Sequence, residues 1–326
     1  MIRMVAGLCV TLAVLAFLSL TSGEYSISAG SLFQALVGEA GEAPQIEMIL
    51  FDLRMPRLFL AALVGAALAF AGTLAQAVLR NPLAEPGILG INAGAALAVM
   101  VLVVMVEKAP VSLQPLAGFL GAFAMAVAVY GISWNNGTTS LRIILIGVGL
   151  NALAGAVSSF LASFGEVDDV QRAMIWLAGS LHHADWDDVR NLGLWLVGPF
   201  AATILVWREL DLTRFGDFVA RGLGQRVDTV RALMILLCTL TSGAAVAAAG
   251  LIGFIGLIAP HIARRLIGLG HARLLPVSSL IGAVLVVAAD LIGRTVMAPA
   301  ELPAGIVTAL IGVPFFAYLL WGWRDA

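Results

Sequence analysis

The chain has 326 residues, of which 61% are hydrophobic and 12% are charged, and its mean hydropathy is +1.01. Soluble domains carry about 25% charged residues, so this composition excludes a water-soluble globular protein. The formal net charge of −2 gives no basic surface for nucleic acid.

Apolar runs of membrane-spanning length recur along the whole chain. We predict an all-α integral membrane protein with about ten transmembrane helices, because a spanning helix satisfies its own backbone hydrogen bonds. All ten are assigned to one domain, residues 1–326. The predicted spans are 4–20, 57–79, 88–106, 113–132, 143–163, 191–207, 232–249, 251–267, 276–297 and 304–322. Residues 232–267 are tight for two crossings, so one of these is expected to be short, tilted or re-entrant.

The first apolar run allows two interpretations. Residues 1–23 have a basic residue, an apolar core and small residues, as a signal peptide does. We favour a retained first helix, because the cleavage pattern is poor. With the N-terminus inside, 12 of the 18 basic residues fall in inner segments, including Arg324 near the C-terminus. The positive-inside rule therefore favours cytoplasmic N- and C-termini.

Three arginines on the acidic outer face are exceptions to this bias. Arg54 and Arg57 precede the second span, and Arg294 ends the ninth, four residues after Asp290. They are candidate contacts for an acidic partner. The alternatives are side chains that reach the membrane interface, or an internal Asp290–Arg294 pair at helical spacing.

The longest inner loop, residues 208–231, has features of a protein-docking element. Leu212, Phe215, Phe218 and Val219 form an apolar stripe on a predicted short helix among charged residues. Two glycines end that helix, and a second short helix is expected to follow. The alternative is an interfacial helix that lies on anionic lipid.

Residues 250–265 are rich in glycine and end in basic residues. Glycines 250, 253 and 256 recur every three residues, which on a helix predicts a smooth stripe for close packing. Pro260 interrupts this pattern, and His261, Arg264 and Arg265 indicate that the span ends at a membrane surface.

Several kinds of active site are missing from the sequence. The only lysine, Lys108, is not part of a phosphate-binding loop, so the chain is not a P-loop ATPase. Cys9 and Cys238 lie in apolar spans, and no Cys/His cluster has metal-ligand spacing, so we expect no metal site. Uphill transport would then need a borrowed ATPase or an ion gradient. An ion-coupled carrier would have to use Asp290 or Glu85.

Seven short motifs, taken in order, carry a family resemblance. They are Leu53-Arg-Met-Pro-Arg57, Gly65-Ala-Ala-Leu-Ala-Phe-Ala-Gly72, Asn81-Pro-Leu-Ala-Glu-Pro-Gly87, Trp176-Leu-Ala-Gly-Ser180, Ala220-Arg-Gly-Leu-Gly224, Gly253-Phe-Ile-Gly-Leu-Ile-Ala-Pro-His261 and Glu301-Leu-Pro-Ala-Gly305. With them the chain resembles the FecCD-type permeases of bacterial ABC importers for iron–siderophore, haem and cobalamin, essentially from end to end.

The resemblance implies a transport subunit of the bacterial inner membrane rather than an enzyme. A second copy or a paralogue would complete a dimer with the pathway at its axis. Two ABC ATPase subunits would dock below, and a periplasmic or lipid-anchored substrate-binding protein above. ATP and Mg²⁺ would be bound by the ATPase, and this chain would bind no cofactor and have no catalytic residue.

The resemblance also assigns residues. Arg54, Arg57 and Arg294 match arginines that pair with acidic residues of the binding protein. The docking loop matches the helices that enter the ATPase groove, with Leu212, Phe215, Phe218, Val219, Arg221, Gly222, Leu223 and Gly224 as its candidate contacts. Thr139, Ser140 and Leu141 fall near the cytoplasmic gate, although an ordinary polar turn is the alternative. For the substrate, a ferric siderophore ranks first, then haem, then cobalamin.

Overall fold

All the regular secondary structure of the described residues is helical. A computed structural model describes residues 2–23, 25–37, 44–106 and 109–322, so Lys108 and Arg324 lie outside the described part. The α-helices are α1 (Ile2–Thr21), α2 (Ala29–Val37), α3 (Pro44–Glu47), α4 (Met55–Leu79), α5 (Ile91–Met105), α6 (Gln114–Ser133), α7 (Ser140–Phe164), α8 (Val167–Leu177), α9 (Trp186–Thr213), α10 (Asp217–Gly222), α11 (Val227–Ala249), α12 (Ile255–Ile267), α13 (His271–Thr295) and α14 (Ala304–Gly322). A π-helical turn, Met48–Arg54, joins α3 to α4, and 3-10 turns cover Pro86–Leu89 and Val111–Leu113.

The prediction of an all-α membrane protein is confirmed. Within the described residues, seven helical segments are long and apolar enough to cross a membrane, and α5 and α14 are shorter apolar helices. These nine helices and the shorter α12 correspond one to one to the ten predicted spans. Helix α9 starts earlier than predicted, at Trp186, because Asp185 and Asp188 form a capping box there.

Helix α4 is the centre of the bundle and packs against α9, α11, α12 and α13. The two ends of the bundle are named here by the predicted orientation. The outer end holds the start of α4 and the ends of α1 and α13, and the inner end holds α10 and the α6–α7 turn (residues 134–139).

Glycines let α4 approach its neighbours closely. Gly72 faces Gly256 of α12, and Gly65 faces Gly282 of α13. A Cβ atom on Gly65, Gly72 or Gly282 would overlap the backbone of the opposing helix, and one on Gly256 would overlap the Pro86 side chain. Small residues at helix crossings are the usual means of close packing in lipid.

Changing Gly72 to alanine is therefore expected to destabilise the subunit by about 1–3 kcal/mol, because the new methyl group overlaps the Gly256 backbone. Thermal unfolding of the purified protein in detergent measures the effect. Gly131→Ala in α6 is the matched control, since a Cβ built there has no atom within 4 Å apart from its chain neighbours and the backbone of its own helix. Equal unfolding temperatures for the two variants would contradict this account of the crossing.

The span at 251–267 is the short one of its pair. Helix α12 has 13 residues, about 20 Å, which is less than a hydrocarbon core of about 30 Å. The predicted helical stripe of glycines is wrong, because residues 250–254 are not helical and only Gly256 lies in α12. Gly250 has φ +70° and Phe254 has φ +66°, which no α-helix contains. Pro260 lies inside α12 and does not end it.

A second irregular segment, residues 80–90, precedes α5 and enters the bundle from the inner end. The Asn151 side chain, about 16 Å along α7, donates to the Gly87 carbonyl at 3.0 Å. The Glu85 carboxylate forms a hydrogen bond to the backbone of Phe254, where α12 begins. The two non-helical segments thus meet inside protein, which is where irregular backbone is tolerated at membrane depth.

Candidate docking sites at the two ends of the bundle

An ion cluster at the outer end is centred on Arg57, in the first turn of α4. Its guanidinium contacts the Asp290 carboxylate of α13 at 2.9 Å and Glu301, in the α13–α14 loop, at 2.9 Å. The side chains of Arg57 and Asp290 are only 13% and 4% exposed, so the two charges neutralise each other away from water.

Glu301 extends this cluster to the loop after α8. One of its carboxylate oxygens lies 2.8 Å from Nδ1 of His182. Partial burial acts to raise the pKa of Glu301, but Arg57 and His182 outweigh it and hold that pKa below its usual value. The contribution of Glu301 to stability is therefore present at neutral pH and lost as the pH falls through its lowered pKa.

Arg54 and Arg294 lie at the same end and bind the end of α1. Arg54 is buried and donates to the Leu20 and Tyr25 carbonyls at 2.6 and 2.5 Å. Arg294 is also buried, and donates to the hydroxyl of Ser19 at 2.6 Å and to its carbonyl. The internal Asp290–Arg294 contact is present at 3.8 Å. The three predicted arginines are thus close together, but each has partners in its own chain, and their contact with a binding protein stays a prediction.

The inner end presents an exposed apolar surface between α9 and α11. Its members are called the docking patch: Phe215, Phe218, Val219 and Leu223, which are 66%, 92%, 45% and 63% exposed. Leu212 belongs to the last turn of α9 and is half-buried. Gly222 ends α10, and Gly224 turns the chain with φ +87°.

The predicted second short helix is wrong. Helix α11 begins at Val227 and continues to Ala249, because no glycine or proline interrupts the sequence before Gly243. The predicted short helix is also shorter than expected, since α10 covers only Asp217–Gly222 and Gly216 separates it from α9.

The predicted gate residues form the first turn of α7. Thr139 is the N-cap, and its hydroxyl accepts from the Arg142 backbone N–H at 3.3 Å. Ser140 is buried and donates to the Val78 carbonyl at 3.1 Å, while Leu141 is 67% exposed. The turn that was the alternative interpretation is therefore present, and a gating role stays a prediction.

Sequence reasoning missed a set of charged residues beneath the docking patch. Asp217, Asp228 and Arg231 join α10, α11 and the α6–α7 turn. Asp228 and Arg231 are visible in sequence as an i, i+3 pair, but Asp217 and Thr138 come from distant segments.

The sequence of this chain matches the profile of the FecCD transport family over residues 11–322. The chain belongs to the FecCD transport family.

Relatives in the FecCD family cover nearly the whole chain. The iron-uptake system permease FeuC of Bacillus subtilis is 40% identical, covering 94% of each chain. The achromobactin permease CbrC of Dickeya dadantii is 41% identical and covers 98% of this chain and 90% of its own. The hemin permease HmuU of Yersinia pestis is 37% identical, covering 99% and 96%.

A solved structure has the same architecture as this chain. A metal-chelate type ABC transporter in an inward-facing conformation is 30% identical, with a TM-score of 0.88, and the match covers 99% of this chain and 100% of that one. This agreement confirms the predicted permease fold.

Proposed function

We propose that this chain is the permease subunit of an ATP-driven importer that carries an iron chelate, a ferric siderophore in the first place. The observation that carries the proposal is the docking patch, an exposed apolar surface on α10 and its two flanking turns, at one end of a FecCD-type bundle. Exposed apolar patches on an otherwise polar loop mark protein interfaces. The iron and siderophore permeases among the relatives support the substrate class.

In this proposal ATP hydrolysis occurs on two partner ATPases, which hold the nucleotide and Mg²⁺. They bind the docking patch from the cytoplasm, so the N- and C-termini are cytoplasmic. A binding protein delivers the chelate at the outer end. The permease chain, a single domain, performs no covalent chemistry and binds no cofactor.

A second copy of the chain is proposed to complete the pathway. Helix α7 is largely exposed within the described subunit, and a Cβ on its Gly149 or Gly155 would meet open space. An apolar cavity of about 600 Å³ lies beside α14, where Leu251, Gly305 and Val313 are among its lining residues. Such a surface gives a bulky chelate no charged group to bind, which suits passage rather than capture.

The alternative of an ion-coupled carrier loses support from the geometry. Asp290 is paired with Arg57, and Glu85 is hydrogen-bonded at the start of α12. A coupling carboxylate must release and rebind its ion, and both candidates already have partners within the chain.

Uptake into proteoliposomes tests the proposal. The chain, its ATPase and its binding protein are reconstituted, and labelled ferric siderophore, haem and cobalamin are compared. We expect uptake of the siderophore that requires both ATP and the binding protein. Uptake of haem or cobalamin, without uptake of the siderophore, would assign that compound as the substrate. Uptake by this chain alone under an imposed proton gradient would overturn the importer assignment.

A further inference from the structure

The charged cluster beneath the docking patch joins α10, α11 and the α6–α7 turn around Arg231. The Arg231 side chain is only 4% exposed. One terminal nitrogen donates to both carboxylate oxygens of Asp217, in α10, at 2.9 Å. The other donates to the backbone carbonyl of Thr138, in the α6–α7 turn, at 2.5 Å. A single buried guanidinium therefore bridges α10, called the docking helix from here on, and the α6–α7 turn.

Asp228 also links α10 to the α6–α7 turn. Its carboxylate accepts from the backbone N–H of Thr138 at 3.0 Å and from the Arg221 guanidinium, on α10, at 2.8 Å. Its backbone carbonyl accepts from the hydroxyl of Tyr130, near the end of α6, at 3.2 Å. The two bonds to the Asp228 carboxylate are charge-assisted, and such bonds fix geometry more strongly than neutral ones.

Helix α10 has little else to hold it. Of its six residues only Ala220 is buried, and the chain turns with positive φ at Gly216 and Gly224 on either side. Arg80, at the end of α4, adds a contact to Asp217 at 3.6 Å. The orientation of α10 relative to the bundle therefore depends mainly on the ion cluster.

From this geometry we propose that Arg231 is a positioning residue that couples the docking helix to the α6–α7 turn. When an ATPase moves α10, the bonds of Arg231 and Asp228 move the turn with it. The turn leads directly into Thr139 and Ser140 at the start of α7. This inference rests on the proposed function and specifies the route by which ATPase movement enters the membrane helices.

A competing route runs along the main chain through α9. Gln225 supports this route, because it follows α10 and its side chain donates to the backbone carbonyl and the carboxylate of Glu209, in α9, at 2.8 Å. If this route carries the movement, loss of the Arg231 bonds leaves transport unchanged. The two routes therefore predict opposite outcomes for the same variants.

The test uses the reconstituted complex of permease, ATPase and binding protein. The variants are Arg231→Met, Arg231→Lys and the isosteric Asp217→Asn. Arg273→Met is the matched control, because Arg273 is exposed at the start of α13 and makes no side-chain hydrogen bond or ion pair to the described residues. ATPase co-purification, ATP hydrolysis and siderophore uptake are measured on each complex.

We expect the Arg231→Met and Asp217→Asn complexes to retain the ATPase and to hydrolyse ATP, while uptake per ATP falls about tenfold. Arg231→Lys should recover part of that loss, and Arg273→Met should match the wild type. Wild-type uptake per ATP in Asp217→Asn and Arg231→Met would overturn the inference, as would loss of ATPase binding from both. If Arg231→Met does not fold, Asp217→Asn decides alone. Failure of the wild-type complex to import with ATP would instead overturn the proposed function.

Discussion

Replacing Phe218 and Leu223 together with aspartate is expected to weaken ATPase binding by at least about 100-fold. Both side chains are largely exposed, at 92% and 63%, so they contribute little to the fold of the isolated subunit. Each contributes about 1.5–3 kcal/mol when it is buried in a partner. Aspartate removes that gain and adds a charge that would have to lose its water in the groove.

Co-purification of the ATPase with the double variant, followed by a titration, measures the loss. Val296→Asp is the control, because Val296 is 69% exposed but lies at the opposite end of the bundle. The double variant should unfold at the same temperature as the wild type. An unchanged ATPase affinity would show that the docking patch faces lipid or water instead of the ATPase.

Reversing the charge of Arg57 is expected to reduce the yield of folded subunit sharply. Asp290 is 4% exposed and would then face Glu301 and the new carboxylate without a cation at 2.9 Å. Removing one partner of a buried ion pair costs about 3–5 kcal/mol, which is a large part of the stability of a domain. Arg57→Glu therefore tests stability before it tests any contact with a binding protein.

The fraction of monodisperse protein after detergent extraction, together with its unfolding temperature, measures this effect. Arg172→Glu is the control, since the side chain of Arg172 is 49% exposed at the outer end and, among the described residues, forms an ion pair only with Asp169. Glu301→Gln keeps the buried Arg57–Asp290 pair and is expected to fold. Binding-protein affinity is therefore measured in this variant rather than in Arg57→Glu. Normal yield and stability of Arg57→Glu would show that the cluster is not structural.

Hydropathy was enough to place the membrane-spanning helices, because most spans are apolar runs bounded by polar turns, but it did not reveal the short helices α2, α3 and α8. It failed at residues 250–254, where an apolar segment is not helical. Nothing in the composition of that segment reveals that Gly250 and Phe254 adopt positive φ. The entry of residues 80–90 into the bundle was equally hidden, since it depends on a contact between Gly87 and Asn151, 64 positions apart.

The two candidate docking sites differ in how far the sequence revealed them. The docking patch was found because Phe215 and Phe218 are apolar residues in a charged loop, which is a local signal. The ion pair between Arg57 and Glu301 was not predicted, because Glu301 lies 244 positions away and no local pattern links the two residues. Arg54 was harder still, since its partners are backbone carbonyls, which carry no sequence signature.

The exposed Phe218 has a further consequence for how the subunit is made in the cell. In the proposed assembly, the newly inserted chain presents the Phe218 side chain, which is 92% exposed, to the cytosol until the ATPase covers it. Such patches promote aggregation and are recognised by chaperones and proteases. Subunits produced in excess of their ATPase would therefore be short-lived, and the ratio of the two proteins would be adjusted by degradation as well as by synthesis.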